Sequence, residues 1–259
     1  MDLMTLLGAF FGIGAVYYVL NEGGMVRILL NLEAIVLIFG GTLGSVMISY
    51  PWSALRWVPS AILKILFPPR RAGTILLIQA LVQLSEKARR GGLESLQSEI
   101  SRLPHPFLLD GVQMLLDGLD PEVIREKCER DIMVTRQRHQ QVSGIFRSAG
   151  TFAPIFGLLG TLIGVVQVLR NITNPQMMGA SMAIAMTASF YGIFSANFLF
   201  LPIAGKLDFY SEEEMLAREL IAKGILSIHE GEIPWLISRR LETYLAYHLR
   251  RRAREMARV

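Results

Sequence analysis

Four long apolar segments constrain this chain more than any other feature of its sequence. An apolar helix needs about 20 residues to cross the hydrocarbon core of a bilayer, and each segment is close to that length. With 52% apolar and 19% charged residues, the chain resembles a membrane protein that also carries a substantial polar part. The segments run roughly over Leu3–Leu20, Ile28–Ile48, Ser148–Leu169 and Met177–Leu201.

The basic residues predict how these segments cross the membrane. Of the 26 Lys and Arg, only Arg27 and Arg170 lie in or beside the short loops, and the rest lie in residues 51–147 or after residue 201. Because Lys and Arg concentrate on the cytoplasmic side, we expect both polar regions and both termini to be cytoplasmic. The first segment lacks a basic leader, so we interpret it as a retained helix rather than a cleaved signal peptide.

The fold predicted from these patterns is an all-α integral membrane protein with four transmembrane helices. A helical cytoplasmic domain is inserted between spans 2 and 3, and a cytoplasmic helical tail follows span 4. Glu33 is the one acidic residue within a predicted span, and we expect it to reach the outer headgroups or to pair with Arg27. The predicted divisions are residues 1–50 (spans 1 and 2), 51–147 (cytoplasmic domain), 148–203 (spans 3 and 4) and 204–259 (cytoplasmic tail).

Helical patterns punctuated by proline and glycine fill the first polar region. The amphipathic stretch Trp52–Phe67 is typical of a segment that lies along a membrane interface. A helix is expected over Thr74–Arg90, because the Gly91-Gly92 pair that follows is a helix stop. Another helix is expected to begin at Pro121, since proline is favoured at the first helical position.

An apolar stripe predicts that the helix after Pro121 is very long. The stripe residues are spaced 4, 4, 3, 4, 3 and 4 apart, which keeps them on one helical face. No proline interrupts the pattern before Pro154, so the helix should run directly into the third apolar segment. Cys128, the one cysteine of the chain, and His139 are expected to be packing residues rather than ligands. The stripe consists of Ile124, Cys128, Ile132, Thr135, His139, Val142 and Phe146.

The second polar region contains its own helix signals. Ser211 and Glu214 have the spacing of a capping box and predict a helix start, and Gly231 predicts its end. A last helix is expected from Pro234 into the basic tail "HLRRRAREMAR", which should face solvent or lipid headgroups. Because the basic residues follow the membrane pattern without an aromatic-basic stripe, nucleic acid is disfavoured as a partner.

The third and fourth segments contain no ionisable side chain except Tyr191. Hydroxyls can accept hydrogen bonds or coordinate a cation weakly, but they cannot bind and release a proton near neutral pH. If these segments line an ion path, another chain must therefore supply the titrating group. Their polar residues are Thr161, Gln167, Ser181, Thr187, Ser189, Ser195 and Asn197.

Glycines at helical spacing predict close contacts between helices. Gly157, Gly160 and Gly164 lie on one helical face, as do Gly40 and Gly44. Such a face packs either within one subunit or against a second subunit or partner helix, and Gly192 is assigned to the same kind of surface. Pro154 can kink its helix and leave a carbonyl without its usual donor.

Four blocks of the sequence resemble the flagellar motor stator family of MotA and its sodium-type relative PomA. The blocks cover most of the chain in the expected order, and together they are highly specific. They are "NLEAIVLIFGGTLGSVMISYP", "ARRGGLESL", "APIFGLLGTLIGVV" and "MTASFYGIFSANFLFLPIAGKL" continuing into "SEEEMLARELIAKGILSIHEGEIP".

The resemblance implies a stator in the bacterial inner membrane rather than an enzyme. A pentamer of such chains surrounds MotB-like partners, whose essential aspartate carries H⁺ or Na⁺, and no other cofactor is implied. The rotor protein FliG is the implied cytoplasmic partner. The implied ion-path residues are Pro154, Thr161, Thr187, Ser189 and Tyr191. The implied rotor contacts are Arg89, Arg90, Glu94 and Glu99.

Two departures from the family pattern bear on function. Gln97 stands where the family often has a glutamate, so Glu94 or Glu99 substitutes for it or the rotor contact differs. Ala188-Ser189 stands where sodium-type members have two threonines, so we expect protons, with a sodium-driven stator as the alternative. An ExbB/TolQ-like energiser of envelope transport, which usually has three spans, and a passive membrane scaffold are further alternatives.

Overall fold

The computed structural model describes residues 3–24, 26–29, 31–68 and 73–245, and these residues form helices and no strand. The α-helices are α1 (Leu3–Glu22), α2 (Val26–Leu29), α3 (Leu32–Ser49), α4 (Trp52–Leu55), α5 (Val58–Leu66), α6 (Thr74–Gly91), α7 (Pro106–Leu116), α8 (Pro121–Arg170), α9 (Pro175–His229) and α10 (Pro234–Leu241). A 3₁₀ helix lies between α6 and α7 at Leu93–Arg102, and another follows α10 at Glu242–Tyr244. One π-helical turn lies within α3 at Val36–Gly40 and one within α9 at Ala196–Phe200.

The chain divides into two compact units. The apolar unit lies within residues 1–69 and 139–209, and the polar unit lies within residues 70–138 and 210–259. Of the described helices, α1, α3, α8 and α9 are long and apolar enough to cross a membrane. Each of the four predicted apolar segments overlaps one of these helices. The amphipathic stretch of α4 and α5 belongs to the apolar unit rather than to the polar one.

The second apolar helix begins later than residue 28, the predicted start. The Asn31 side-chain oxygen accepts a hydrogen bond from the Ala34 backbone N–H at 3.1 Å, so Asn31 caps the start of α3 at Leu32. Glu33 is exposed in the first turn of α3, where the helix dipole favours a negative charge. The Arg27 side chain, its predicted partner, lies outside the described residues.

Close contacts arrange the apolar helices as antiparallel neighbours. A Cβ added at Gly12 of α1 would lie 2.1 Å from the Phe198 ring of α9, and the Lys206 ammonium donates to the Thr5 hydroxyl. The hydroxyls of Tyr50 and Ser148 lie 2.8 Å apart where α3 ends beside α8. The start of α1 and the end of α3 therefore lie at the end of this unit where the apolar stretches of α8 and α9 meet the polar sequence.

One apolar core organises the polar unit. The fully buried side chains come from α6, the 3₁₀ helix at Leu93–Arg102, α7, the first part of α8, the last part of α9, and α10. Helices approach closely at Gly111, where an added Cβ would lie 2.7 Å from Ile225, and at Gly224, where it would lie 2.5 Å from Leu81. The largest buried members of this core are Leu77, Leu81, Leu96, Leu108, Leu115, Ile124, Leu220, Ile221, Ile225, Ile237 and Leu241.

Arg218 ties α8 to α9 within the polar unit. Its guanidinium donates to Asp131 of α8 and, at 3.0 Å, to Glu214 one turn earlier on α9. The same group lies 5.1 Å from the centroid of the Phe107 ring. Because the Arg218 side chain is only 16% exposed, these interactions are screened by water less than an ordinary surface ion pair.

The prediction of one long helix after Pro121 is confirmed, since α8 extends unbroken for 50 residues. Five of the seven stripe residues are buried, and His139 and Val142 are half-buried. Cys128 is a core residue as expected, and burial, with smaller effects from Asp131 and Glu129, raises the pKa of its thiol to about 11. The helix ends predicted at Gly91-Gly92 and Gly231 are also confirmed, and both Gly92 and Gly231 adopt positive φ.

The helix start predicted at Ser211 is wrong. Because α9 continues without a break from Pro175 to His229, Ser211 lies in the helix interior and has no helix end to cap. Glu214 pairs with Arg218 instead. The last helix begins at Pro234 as predicted but ends at Leu241, before the basic tail. Residues 246–259 of that tail lie outside the described residues.

Cys128 should be nearly inert to a maleimide in the folded protein at pH 8. Burial raises the pKa of the thiol from its usual value of 9.0 to about 11, so the thiol stays protonated at pH 8. Labelling should rise about a hundredfold after unfolding in detergent, measured by mass spectrometry across a pH series. Rapid labelling of the folded protein at pH 8 would contradict the assignment of Cys128 to the core.

Candidate functional site

Two hydroxyl groups meet where α8 and α9 cross in the apolar unit. Thr161 Oγ1 donates to the Gly157 carbonyl at 2.9 Å and lies 2.9 Å from Ser189 Oγ. Since the Thr161 proton is directed to the carbonyl, Ser189 is the donor to Thr161. The Ser189 oxygen then keeps both lone pairs as acceptors. This hydroxyl pair, Thr161 and Ser189, is half-buried and presents acceptor oxygens without a charge.

Glycine and alanine bring the two helices close enough for this contact. A Cβ at Gly160 would lie 2.4 Å from the Ala188 Cβ, and one at Gly164 would lie 2.5 Å from the Ala185 Cβ. A Cβ at Gly192 would lie 2.7 Å from the Ala153 carbonyl oxygen. The helices are therefore in near-backbone contact, which side chains larger than hydrogen at these positions would prevent.

The glycines at this crossing pack within one chain. Gly157 faces Gly192 and Ala188 of α9, so a helix from another chain cannot occupy the same positions. The spacing left open whether these glycines pack within one subunit or against another chain. The structure supports packing within one chain for Gly157, Gly160, Gly164 and Gly192. Gly40 and Gly44 of α3 differ, since an added Cβ at either would meet no described atom within 4 Å.

Pro154 lies inside α8, which continues through it as a helix. Proline has no N–H, so Pro154 cannot donate the usual helical hydrogen bond to the Gly150 carbonyl. Seven residues separate Pro154 from Thr161, which is two helical turns, so both lie on one face of α8 roughly 10 Å apart. The structure thus places Pro154 and the hydroxyl pair along the same side of α8.

Thr187 and Tyr191 are not brought to the hydroxyl pair. Each is two residues from Ser189, about 200° around the helix, and so lies toward the opposite face of α9. Thr187 is buried, and the Tyr191 hydroxyl donates to the Leu29 carbonyl of α2. Tyr191 also contacts the cluster that includes Ala34 and Ile38 of α3. Tyr191 therefore positions α9 against α2 and α3.

Thr42 is a buried hydroxyl residue of α3 that was not among the candidates predicted from the sequence. Thr42 is only 3% exposed, and its Oγ1 has no hydrogen-bond partner among the described residues. It lies on the buried face of α3 with Ala34, Ile38 and Val46, at intervals of four residues. A polar residue within an otherwise apolar stripe was the signal that could have identified it.

The expected rotor contacts lie at the end of α6 and in the following 3₁₀ helix. Arg89, Arg90 and Glu94 are exposed, and none of them forms an ion pair with another described residue. Glu99 differs, because Lys87 donates to its carboxylate at 2.6 Å. This hydrogen bond, together with the Lys87 charge, holds the pKa of Glu99 below its usual value. Gln97 is exposed beside them.

Comparison with known proteins places this arrangement in a family. The family model of the MotA/TolQ/ExbB proton channel family matches residues 99–220, which include the hydroxyl pair. PomA of Vibrio alginolyticus, a chemotaxis protein, is 33% identical over 95% of this chain and 96% of its own length. The chain belongs to the MotA/PomA family of flagellar motor stator proteins.

Two further matches extend over nearly the whole chain. Motility protein A of Bacillus subtilis is 33% identical over 95% of this chain and 91% of its own length. The structure of the flagellar MotAB stator complex from Bacillus subtilis matches with a TM-score of 0.89 and 31% identity, covering 96% of this chain and 98% of that one. The resemblance to the MotA/PomA family predicted from the sequence is therefore confirmed.

Replacing Gly164 by alanine should destabilise the apolar unit, whereas the same change at Gly179 should not. An added Cβ at Gly164 would lie 2.5 Å from Ala185, whereas one at Gly179 of α9 would meet no described atom within 4 Å. Overpacking costs about 1–3 kcal/mol, and alanine favours both helices by up to about 1 kcal/mol. Thermal unfolding in detergent measures the difference, and equal melting temperatures would contradict the close contact.

Proposed function

We propose that this chain is the MotA-like subunit of a flagellar stator, a motor component that couples inward ion movement to torque on the rotor. The observation that carries the proposal is the hydroxyl pair at the contact between the apolar stretches of α8 and α9, residues 148–169 and 177–201, which contain no carboxylate of their own. Such a surface can receive a neutralised acid from a partner helix, but it cannot titrate near neutral pH itself. Names of the relatives, including the MotAB stator complex, support the same role.

Four membrane spans and cytoplasmic termini complete the proposal. The start of α1 and the end of α3 lie at one end of the apolar unit, beside Lys206 and Ser148. That end leads into the regions rich in Lys and Arg, which the positive-inside bias assigns to the cytoplasm of the bacterial inner membrane. The polar unit is then cytoplasmic, and Glu33 lies near the outer surface.

The proposed mechanism uses a carboxylate from a MotB-like partner. A proton entering from outside neutralises this carboxylate, and the resulting carboxylic acid can then donate a hydrogen bond to the acceptor oxygen of Thr161 or of Ser189. Neutralising a buried charge removes a desolvation cost of several kcal/mol, so the contact between the two proteins can change. One elementary charge crossing 100 mV releases about 2.3 kcal/mol, which drives the step. A pentamer of this chain around the partner helices would repeat that step around a ring.

We propose protons as the transported ion. A protonated carboxylic acid needs one acceptor, and the Ser189 oxygen offers two lone pairs. Sodium instead needs several oxygens to replace its hydration shell, and Ala188 removes one of the two adjacent hydroxyls found in sodium-type members. Because Thr187 faces away from the pair, it does not compensate for the loss. A sodium-driven stator is the alternative.

The proposed rotor surface is the exposed group of Arg89, Arg90 and Glu94. Surface charges without internal partners suit repeated contact with FliG, because each exposed pair contributes only about 0 to 1 kcal/mol and separates easily. Glu99 is a weaker candidate, since Lys87 already occupies its carboxylate.

Loss of the hydroxyl pair should slow or stop motility. We expect Thr161→Val and Ser189→Ala each to lower swimming speed severalfold, and Thr161→Ser to retain most of it, because serine keeps the hydroxyl. Swimming speed and the membrane abundance of the chain should be measured together. Full motility in both hydroxyl-deficient variants would favour a passive scaffold.

The ion is identified by its driving force. Swimming speed should fall when a protonophore removes the proton gradient and should not depend on external Na⁺. The chain alone in liposomes should not conduct, whereas its complex with a MotB-like partner should. Swimming speed that follows external Na⁺ and resists the protonophore would establish the sodium-driven alternative. Conduction by the chain alone would contradict the proposal that a partner chain supplies the carboxylate.

Charge reversal at the rotor surface should impair torque without affecting the ion path. We expect Arg90→Glu to reduce swimming while proton conduction by the purified complex stays unchanged. Arg130→Glu is the control, since Arg130 is also exposed, lies on α8 of the polar unit and pairs with Glu126 at 2.7 Å. A similar loss of motility in both variants would remove the specific role assigned to Arg90.

A further inference from the structure

One face of α4 and α5 is fixed against the apolar unit. Ala54, Leu55 and Val58 pack against a cluster that includes Val46 of α3 and Ile145 of α8. Ala61 packs against Phe146 of α8 and Ala204 of α9. Contacts with three helices therefore hold the segment Trp52–Phe67, here called the amphipathic segment, at one level of the unit.

The other face of the amphipathic segment is apolar but exposed. Trp52 is 75% exposed, Trp57 53%, Leu63 58% and Phe67 64%. Two cations, Arg56 and Lys64, lie among these side chains. The Arg56 guanidinium lies 5.3 Å from the centroid of the Trp57 ring, and neither cation forms an ion pair with a described residue.

The charge of this region is unusually one-sided. The sequence contains no Asp or Glu between Glu33 and Glu86, whereas Arg56, Lys64, Arg70 and Arg71 fall in that interval. A partner that covers this face must therefore offer apolar surface and negative charge together. Tryptophan with nearby Arg or Lys is the combination that proteins present at the boundary between acyl chains and headgroups.

The packing places the amphipathic segment at such a boundary. Its contacts on α8 and α9, Phe146 and Ala204, lie next to the first charged residues beyond the two apolar stretches. Among these, Arg147 donates to Asp208 at 2.5 Å. The segment also continues directly from the end of α3, so its exposed face is contiguous with the apolar surface that we assign to lipid.

We propose that the amphipathic segment binds anionic phospholipid headgroups at the cytoplasmic surface of the membrane. This inference rests on the membrane placement in the proposed function and adds a lipid preference to it. Trp52 and Trp57 lie among the upper acyl chains, while Arg56 and Lys64 extend to the phosphate groups. Each cation near an anionic surface contributes about a fivefold enrichment of anionic lipid.

Tryptophan fluorescence tests the proposal directly. The chain has 3 tryptophans, so a Trp235→Phe variant of the full chain retains only Trp52 and Trp57. This variant is placed in nanodiscs of phosphatidylcholine with a minority of phosphatidylglycerol. In one sample the phosphatidylcholine carries bromine atoms near its headgroup, and in the other sample the phosphatidylglycerol carries them. Bromine quenches the fluorescence of nearby tryptophan only. At equal bromine content, brominated phosphatidylglycerol should quench at least about fivefold more effectively, since two cations contribute, and high salt should reduce the difference.

Substitutions identify the groups responsible. Arg56→Gln with Lys64→Gln should reduce the preference to that of the bulk lipid mixture, whereas Arg56→Lys should retain it because the charge remains. Lys127→Gln with Arg130→Gln, which removes two exposed cations of the polar unit, is the matched control and should change nothing.

Three results would overturn the proposal: equal quenching by the two lipids, quenching by neither, or a preference that survives the double substitution at Arg56 and Lys64. Ion conduction by the complex with its partner is measured separately. A conducting complex without lipid preference would overturn this inference alone. Lipid preference in a complex that does not conduct would support the inference and count against the stator role.

Discussion

The near-backbone contact between α8 and α9 in the apolar unit is the interaction on which the rest of the candidate site depends. Gly160 and Gly164 leave room for the Cβ atoms of Ala188 and Ala185, so the helices approach without intervening side chains. Dispersion and close packing, rather than a hydrophobic driving force, stabilise helix pairs in lipid. At this distance a threonine on one helix reaches a serine on the other, and each proton of the pair has an acceptor.

The same two helices contribute to both units without interruption. In the polar unit, Arg218 joins them through Asp131 and Glu214, and in the apolar unit Arg147 joins them through Asp208. The physical basis of the contact therefore changes along the helices, from ion pairs where water is present to glycine and alanine where it is absent. Helices that continue from one unit into the other suit a protein proposed to transmit movement from a membrane site to a cytoplasmic surface.

Some groups of α3 in the apolar unit have surroundings that are incomplete within the described chain. Thr42 leaves a hydroxyl buried without a described partner, a state that costs about 1–3 kcal/mol and that a water molecule or a second chain could relieve. Gly40 and Gly44, on the same helix, meet nothing within the chain. Together they indicate that contacts within the described chain cover α3 incompletely.

Sequence alone determined the four apolar helices, the long helix through Pro154 and the burial of Cys128, because helical periodicity and glycine stops act over short distances along the chain. It also indicated the family, through four blocks of resemblance that cover most of the chain. It misplaced the start of the helix that contains Ser211, since a capping signal has no effect where the preceding residues are already helical. Only the tertiary structure decided that Ser189 meets Thr161 while Tyr191 contacts α2 and α3. That choice depends on the rotation of α9 about its axis, which is set by contacts between residues far apart in the sequence.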